Sequence, residues 1–283
     1  MSIYSIYATK RSGHHAFIEW LCSGLSGNWV YFNNCKIYDG EIRYAVIESD
    51  FNLPGLEKNK PGLLSEALHT IGPDVEHLIL SYENVDYENC CRCFFQEKQF
   101  RKHFGDQFRI VFLRDFFNSY ASLFSWFERY KKEEAPVKAL DEFKKCWGGL
   151  VSLYLKSGDD GFNSDGAKLV LPSFNEFSFE DNYRAGLAKK LNILNSDVNK
   201  ELSLFGGGGN TFFDDKKNYT PSQEKLESRW KLVLDKEKFF DSIDEATLFN
   251  ARSFAYFLNR PELFDIPERE LSKKSGVDSE SST

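Results

Sequence analysis

Hydrophobic positions follow two alternating patterns along most of the chain. Short apolar runs of strand length separate longer segments in which apolar residues recur three or four positions apart. The first such pair is a predicted strand over Ser2–Ala8 and a predicted helix over residues 15–23, with Phe17 and Trp20 on one helical face. The chain therefore begins with a strand that leads into a helix.

The same alternation continues through the next two hundred or so residues. Further strands are predicted over residues 29–32, 44–49, 77–81, 108–113 and 168–171. Further helices are predicted over residues 63–68, 94–104, 117–130, 140–156, 179–191, 222–231 and 246–257. The strand at 108–113 is almost continuously apolar, as in strands buried on both faces. The pattern predicts an α/β fold, with a central parallel sheet flanked by helices on both faces.

A single domain accounts for residues 1–267, since neither an internal repeat nor a Pro/Ser-rich linker interrupts them. Residues 268–283 are polar, rich in Ser, Lys and Glu, and without apolar periodicity. Such composition predicts a disordered tail.

Composition narrows the classes of function. The 283 residues carry 36 Lys and Arg against 43 Asp and Glu, a net charge of −7 that does not favour nucleic acid. No apolar run approaches the roughly 20 residues of a membrane span, so no membrane insertion is expected. The amino terminus does not resemble a signal peptide, which predicts a cytoplasmic protein. Aromatic residues make up 16% of the chain, which predicts a bulky core or an aromatic cleft.

The six cysteines lack the regular spacing of a disulfide scaffold, so reduced thiols are expected. Cys90, Cys91 and Cys93 lie close together, but a second pair of ligands at finger-like spacing is missing. We therefore expect no zinc site there.

The segment between the first strand and the first helix has the composition of an anion-binding loop. It contains Lys10, Arg11, Ser12 and Gly13. Backbone N–H groups and the positive end of the helix converge at such a turn, where a phosphate can bind. The loop lacks the G-x-x-x-x-G-K-[ST] pattern of ATP-binding P-loops. The alternative is a basic turn that only caps a surface helix.

A second candidate site follows the strand at 108–113. Arg114 lies at its carboxyl end, where open α/β sheets bind ligands, and its guanidinium matches phosphate oxygens. Ser122 follows eight residues later, about two helical turns, and can return to the same side. The alternative role for Arg114 is an ion pair with Asp115 or with another carboxylate.

These two segments together resemble the sulfotransferase superfamily. The run Arg11-Ser12-Gly13-His14-His15 matches the family's basic-Ser-Gly-Thr-x loop. The resemblance implies a P-loop NTPase-like sulfotransferase fold and the cofactor 3′-phosphoadenosine 5′-phosphosulfate (PAPS). It implies that the loop binds the 5′-phosphosulfate, that Arg114 and Ser122 bind the 3′-phosphate, and that no metal is required.

The resemblance extends to residues 168–177 and to a later glycine run. Gly207, Gly208, Gly209 and Asn210 occupy the place of the family's segment that closes over the 3′-phosphate. Taken alone, four consecutive glycines more often form a flexible loop. Two departures stand out: Phe116 replaces a usual proline, and His14-His15 replace a threonine or serine pair.

The resemblance also implies roles in catalysis. Arg11 aligns with the family's sulfonate-contacting residue and Lys10 is its neighbour. His14 and His15 can donate hydrogen bonds or move a proton near neutral pH. Glu83, at the carboxyl end of the strand beginning near residue 77, is the candidate general base. Glu48 and Asp50 remain alternatives.

The predicted function is transfer of a sulfonate group from PAPS to a hydroxyl or amine of a carbohydrate or small-molecule acceptor. The product nucleotide is 3′-phosphoadenosine 5′-phosphate (PAP). One alternative is a nucleotide kinase-like phosphotransferase, which the missing Gly-Lys-Ser/Thr disfavours. Another is a noncatalytic nucleotide-binding protein of the same fold.

Overall fold

A computed structural model describes most of the chain. The described residues are 1–53, 55–57, 60–71, 74–85, 88–89, 91–93, 96–97, 104–128, 137–156, 166–194, 227–233, 239 and 242–274. The predicted helix at 94–104 lies largely outside them. The glycine run at 206–209 and the first half of the helix predicted at 222–231, residues 222–226, also lie outside them. Among the described residues, no helix is both long and apolar enough to cross a bilayer.

Six strands form the main sheet, in the spatial order β5-β2-β7-β1-β8-β9. They are β1 (Ser2–Ala8), β2 (Trp29–Asn33), β5 (Val46–Ser49), β7 (His77–Glu83), β8 (Asp106–Phe112) and β9 (Lys168–Val170). All neighbours pair in parallel except the edge strand β5, which runs antiparallel to β2. A second, small antiparallel sheet contains β3 (Lys36–Tyr38), β4 (Glu41–Tyr44) and β6 (Gly62–Leu63).

Eight described helices accompany these strands. They are α1 (His14–Gly24), α2 (Leu64–Ile71), α3 (Phe116–Trp126), α4 (Val137–Leu155), α5 (Phe174–Phe179), α6 (Asp181–Leu191), α7 (Glu245–Phe257) and α8 (Glu262–Lys274). A short 3₁₀ helix covers Arg229–Val233.

Hydrophobic cores cover both faces of the sheet. Side chains of β1 alternate, so that Ile3 and Tyr7 join one core and Tyr4 and Ile6 join the other. Helices α3, α4, α7 and α8 contribute to the first core, and α1, α5 and α6 to the second. The predicted α/β class, with a mostly parallel central sheet and helices on both faces, is confirmed.

Two predicted boundaries differ from the structure. The apolar run at 44–49 is divided between β4 and β5, which belong to different sheets, because the chain changes pairing partner at Ala45. Periodicity reports burial and cannot reveal which strand is the partner. At the other end, α8 continues to Lys274, so residues 268–274 are helical and not part of a disordered tail. Residues 275–283 lie outside the described part.

The carboxylate of Asp244 links the start of α7 to α4. It accepts a hydrogen bond from the Thr247 backbone N–H at 2.8 Å, and it lies 3.1 Å from the Lys144 ammonium. Burial raises the pKa of Asp244, but the bonds from Thr247 and Lys144 outweigh burial, and the pKa is lowered. The ionised Asp244 carboxylate therefore stabilises the folded protein at pH values above its unfolded-state pKa of about 3.9. This stabilisation is lost as the pH falls through the folded-state pKa.

We accordingly expect Asp244→Ala to reduce the free energy of unfolding by about 1 kcal/mol at neutral pH, the usual cost of losing a helix cap. The deficit should narrow below about pH 4 as the wild-type carboxylate is protonated. Denaturant titrations at pH 7 and pH 3 measure this difference. An equal deficit at both pH values would contradict the assigned role.

Candidate active site

Three central strands end side by side at one edge of the sheet. Ala8 of β1 is in register with Glu83 of β7 and with Phe112 of β8. The segments that follow these strands therefore begin at the same edge of the sheet. They are the loop at 9–13 after β1, Asn84 after β7 and Arg114 after β8. Parallel pairing explains why segments distant in sequence form one site.

The loop at 9–13 has the backbone of a tight anion-binding turn. Arg11 and Gly13 both adopt the left-handed region, with φ of 67° and 86°. Gly13 is the N-cap of α1, and no side chain caps the helix there. The positive end of the helix dipole therefore faces the loop, and the first turn of α1 itself contains no acidic residue to neutralise it.

Glycine at position 13 is required by its neighbours as well as by its backbone angle. A Cβ atom there would lie 2.4 Å from Cε2 of the Phe174 ring. The opposite contact of Phe174 is with Arg114, whose guanidinium carbon lies 4.5 Å from the ring centroid. The ring is therefore the spacer that sets the separation between the loop and Arg114.

Arg114 is deeply enclosed, with 2% of its surface exposed. Its Nε lies 3.9 Å from Asp115 Oδ2, and its carbonyl accepts a hydrogen bond from the Trp147 indole N–H at 3.0 Å. Asp115 is mainly a helix cap, since its Oδ1 accepts hydrogen bonds from the backbone N–H and the side-chain amide of Asn118. The ion pair between Arg114 and Asp115 is thus a long contact.

Arg11 connects the two predicted binding segments directly. Its Nε donates a hydrogen bond to Ser122 Oγ at 3.3 Å, although the two residues are 111 positions apart. Ser122 is buried, at 1% exposure. Lys10, in contrast, has an exposed side chain, and its backbone N–H donates to Asn84 Oδ1 at 2.8 Å. The structure places Arg11, and not Lys10, inside the site.

His14, His15 and Glu83 form a compact cluster at the start of α1. The Nε2 atoms of His14 and His15 lie 2.9 Å and 3.1 Å from the same atom, Glu83 Oε1. The two imidazole centroids are 4.1 Å apart, and Ser12 Oγ lies 3.1 Å from His14 Nδ1. His14 is buried, whereas His15 is 20% exposed and Glu83 13% exposed at the side chain.

Burial and charge set the protonation of this cluster. Burial raises the pKa of Glu83, but the contacts with His14 and His15 outweigh burial and hold that pKa far below its ordinary value. Burial lowers the pKa of His15, His14 lowers it further, and Glu83 opposes them without reversing the shift. At neutral pH the cluster is therefore an ionised carboxylate beside a neutral His15 imidazole.

The two alternative bases lie in different places. Asp50 Oδ1 accepts a hydrogen bond from the Trp29 backbone N–H, at the amino end of β2 and hence at the opposite edge of the sheet. Glu48 lies within electrostatic reach of the His15 imidazole. Only Glu48 and Glu83 are therefore associated with the histidines.

A buried polar network beneath Arg114 was not predicted from the sequence. The side-chain amide of Asn175 donates to Asp115 Oδ2 and to Glu227 Oε1, each at 3.2 Å. The Arg260 guanidinium in turn donates to both Glu227 oxygens, at 3.1 and 3.0 Å. The only sequence signal was the Asp115-x-x-Asn118 spacing of a helix cap. Gly207, Gly208, Gly209 and Asn210 lie outside the described residues.

Comparisons with known proteins give likenesses among solved structures and no sequence match. Neither a protein-family model nor a curated protein matches the sequence. Among solved structures, a crystal structure of mouse sulfotransferase SULT7A1 complexed with PAP aligns with 96% of this chain and 88% of its own, at a TM-score of 0.46 and 11% sequence identity.

Proposed function

We propose that this protein is a cytoplasmic PAPS-dependent sulfotransferase that acts on a hydroxyl or amine of a carbohydrate or small-molecule acceptor. The observation that carries the proposal is the contact between Arg11 and Ser122. It joins the uncapped loop at the start of α1 to the segment that follows β8. The sequence resemblance assigns the two ends of one cofactor to these two segments.

The described residues suit a ligand with two separate anionic groups. The loop at 9–13 lies at the N-terminus of α1, which no side chain caps, and a helix N-terminus favours one anion. Arg114 and Ser122, which follow the neighbouring strand β8, offer a guanidinium and a hydroxyl. These two groups favour a second anion. Their low exposure means that bound phosphate would be largely removed from water, where charged hydrogen bonds are strongest.

PAPS, when bound, supplies the sulfonate and a phosphate leaving group. Arg11 would supply the positive charge that stabilises the oxygen between sulfur and phosphorus, on which charge accumulates, once its side chain leaves Ser122. The exposed Lys10 can add a more distant positive charge. Ser12, Gly13 and the first turn of α1 hold the 5′ end through hydrogen bonds.

The histidine cluster is the proposed site of proton transfer from the acceptor. Glu83 has too low a pKa to be an effective proton acceptor at neutral pH, so we revise its role from general base to positioning residue. Glu83 Oε1 accepts a hydrogen bond from His15 Nε2–H, which leaves the lone pair on Nδ1. His15 is the proposed base. Its Nδ1 is buried without a hydrogen-bond partner among the described residues, so this role requires a movement of the imidazole that brings Nδ1 to the acceptor. His14 contacts the same carboxylate oxygen.

An assay of PAP formation tests the proposal. The full chain is incubated with PAPS and pools of hydroxylated and amino acceptors, and release of PAP above the acceptor-free rate is measured. The proposal requires acceptor-dependent release that Arg11→Ala reduces by about 100-fold, within the range for loss of one transition-state donor. Phosphoryl transfer from ATP with magnesium would favour the kinase-like alternative. Binding of PAP without turnover across the pools would favour the noncatalytic one.

We expect Glu83→Gln to lower turnover by about 100-fold while the affinity for PAP changes less than about twofold. The amide cannot hold two imidazoles by charge, so His15 loses its orientation although the cofactor contacts remain. Steady-state rates and calorimetric PAP binding separate the two effects.

Asp50→Asn is the matched control, because it removes a carboxylate at the opposite edge of the sheet. Its turnover should equal that of the wild type. If Asp50→Asn lowers turnover and Glu83→Gln does not, the assignment of the cluster is wrong.

A further inference from the structure

The cluster at the start of α1 has the composition and spacing of a metal site. Among the described residues, His14, His15 and Glu83 form the one group of three such ligands whose donor atoms all lie within 4.8 Å of one another. Two imidazole nitrogens and one carboxylate oxygen are a ligand set used for zinc and other divalent transition metals. The sequence alone predicted no metal here.

Two of the three separations between donor atoms match the edges of a coordination polyhedron. Metal–ligand bonds of about 2.0–2.2 Å at angles of 90–109° place neighbouring donors about 2.8–3.6 Å apart. The observed Nε2–Oε1 separations are 2.9 Å for His14 and 3.1 Å for His15. All three donors lie within 4.8 Å of one another, so a rearrangement of the side chains would place one ion between them.

His14 shows that hydrogen bonding does not fully account for the cluster. Its Nε2 lies at hydrogen-bond distance from Glu83 Oε1, yet this buried atom has no hydrogen-bond partner of acceptable direction in the described part of the chain. A buried polar nitrogen without such a partner carries a desolvation cost. An ion on the same side of the ring would satisfy its lone pair.

The surroundings of the cluster also favour a metal ion. Ser12 Oγ lies 3.1 Å from His14 Nδ1, where it can accept that N–H and leave Nε2 free to bind metal. Lys10, Arg11 and the helix dipole oppose a cation, so binding should depend most strongly on the Glu83 charge.

We propose that His14, His15 and Glu83 bind one divalent transition metal ion, such as zinc, through His14 Nε2, His15 Nε2 and one carboxylate oxygen. Three protein ligands leave at least one position open to water or an anion. Metal binding is argued from this geometry and does not depend on the proposed function. Where that function holds, the metal-loaded form is the inhibited one, because a metal-bound His15 is no longer free to accept the acceptor's proton.

The test uses the full chain, stripped of metal with a chelator and then titrated with Co²⁺ in the absence of nucleotide. Visible absorption follows the Co²⁺ site, and competition with Zn²⁺ reports the zinc affinity. We expect one equivalent to bind, and we expect Glu83→Gln and His15→Asn each to weaken binding by at least 100-fold. Ser12→Ala removes the hydroxyl next to His14 Nδ1 but none of the three metal ligands, and it should weaken metal binding by about 10-fold.

Two variants serve as controls. His69→Asn removes an exposed histidine on α2, and Cys91→Ser removes an exposed thiol. Both should bind metal like the wild type. Circular dichroism without metal identifies the variants that remain folded. His15→Asn is used because His15 is the more exposed of the two histidines, so its replacement disturbs the fold less.

The proposal is overturned if the wild type binds no stoichiometric metal, if folded His15→Asn binds as tightly as the wild type, or if Cys91→Ser abolishes binding. Binding of PAP by the metal-free chain is scored separately. Failure of the metal proposal, with PAP still bound, can therefore be told apart from failure of the proposed function, with metal still bound.

Discussion

Arg114→Ala should weaken binding of PAP by about 100-fold, and it should weaken binding of adenosine 5′-phosphate by less than about threefold. Hydrogen bonds to charged groups contribute about 1.5–3 kcal/mol each, and 1.4 kcal/mol corresponds to a factor of ten. The guanidinium is 2% exposed, so its bonds to a phosphate would form away from water. Isothermal titration calorimetry with the two nucleotides measures the difference.

The comparison of two nucleotides within one variant removes the effect of stability. Arg114 also packs against the Phe174 ring, so its loss is expected to destabilise the protein. Destabilisation of the protein weakens binding of both nucleotides equally, whereas loss of a contact with the 3′-phosphate weakens binding of PAP alone. Equal weakening of the two would show that Arg114 only supports the fold. Arg114→Lys keeps the charge without the planar fork and should fall between the wild type and Arg114→Ala.

Gly13→Ala should be the most damaging single-methyl change in the loop. A non-glycine residue in the left-handed region costs about 1–3 kcal/mol, and the new Cβ would meet Phe174 Cε2 at 2.4 Å. The ring cannot withdraw freely, because it also packs against the Arg114 guanidinium and the Phe112 ring. We expect a lower free energy of unfolding and a loss of PAP affinity of at least 10-fold.

Gly40→Ala separates the cost of the left-handed backbone angle from the cost of the contact with Phe174. Gly40 has φ of 79°, close to the 86° of Gly13, but a Cβ there has no neighbour within 4 Å. Gly13→Ala should exceed Gly40→Ala in its loss of unfolding free energy by about 1–3 kcal/mol, the usual cost of overpacking. Phe174→Leu should relieve that excess. Equal losses for the two alanine variants in denaturant titrations would mean that contact with Phe174 is not what requires glycine.

Much of the site's location could be predicted from the sequence. Ser2–Ala8 was predicted with the bounds that the structure has, and α1 begins within one residue of its predicted start. Buried parallel strands read as continuous apolar runs, and ligand-binding residues follow them at their carboxyl ends. These rules sufficed to place Arg11, Glu83 and Arg114 at one edge.

The contacts within the site could not be predicted. Arg11 was assigned to the reacting end, and the structure shows its Nε bonded to Ser122. Glu83 was interpreted as a general base, whereas two imidazoles approach a single oxygen of its carboxylate. Such contacts depend on rotamers and on the separation of strands and helices, which one sequence does not encode in its periodicity.

The aromatic excess is largely explained by the core. Phe116 and Tyr120 of α3 stack on each other and pack against Phe143 and Trp147 of α4. A smaller group on the other face surrounds the loop, where Phe174 separates Gly13 from Arg114. Rings in this protein therefore set the spacing of the site as well as filling the interior.

Calorimetric titration of the full chain with PAP, and separately with ATP and magnesium, tests the central claim most directly. The contact between Arg11 and Ser122 and the buried Arg114 predict 1:1 binding of PAP, and Arg114→Ala should abolish most of its advantage over adenosine 5′-phosphate. ATP with magnesium should bind at least 10-fold more weakly than PAP, since the loop lacks the Gly-Lys-Ser/Thr sequence. Tight binding of ATP with magnesium, together with no binding of PAP, would contradict the account.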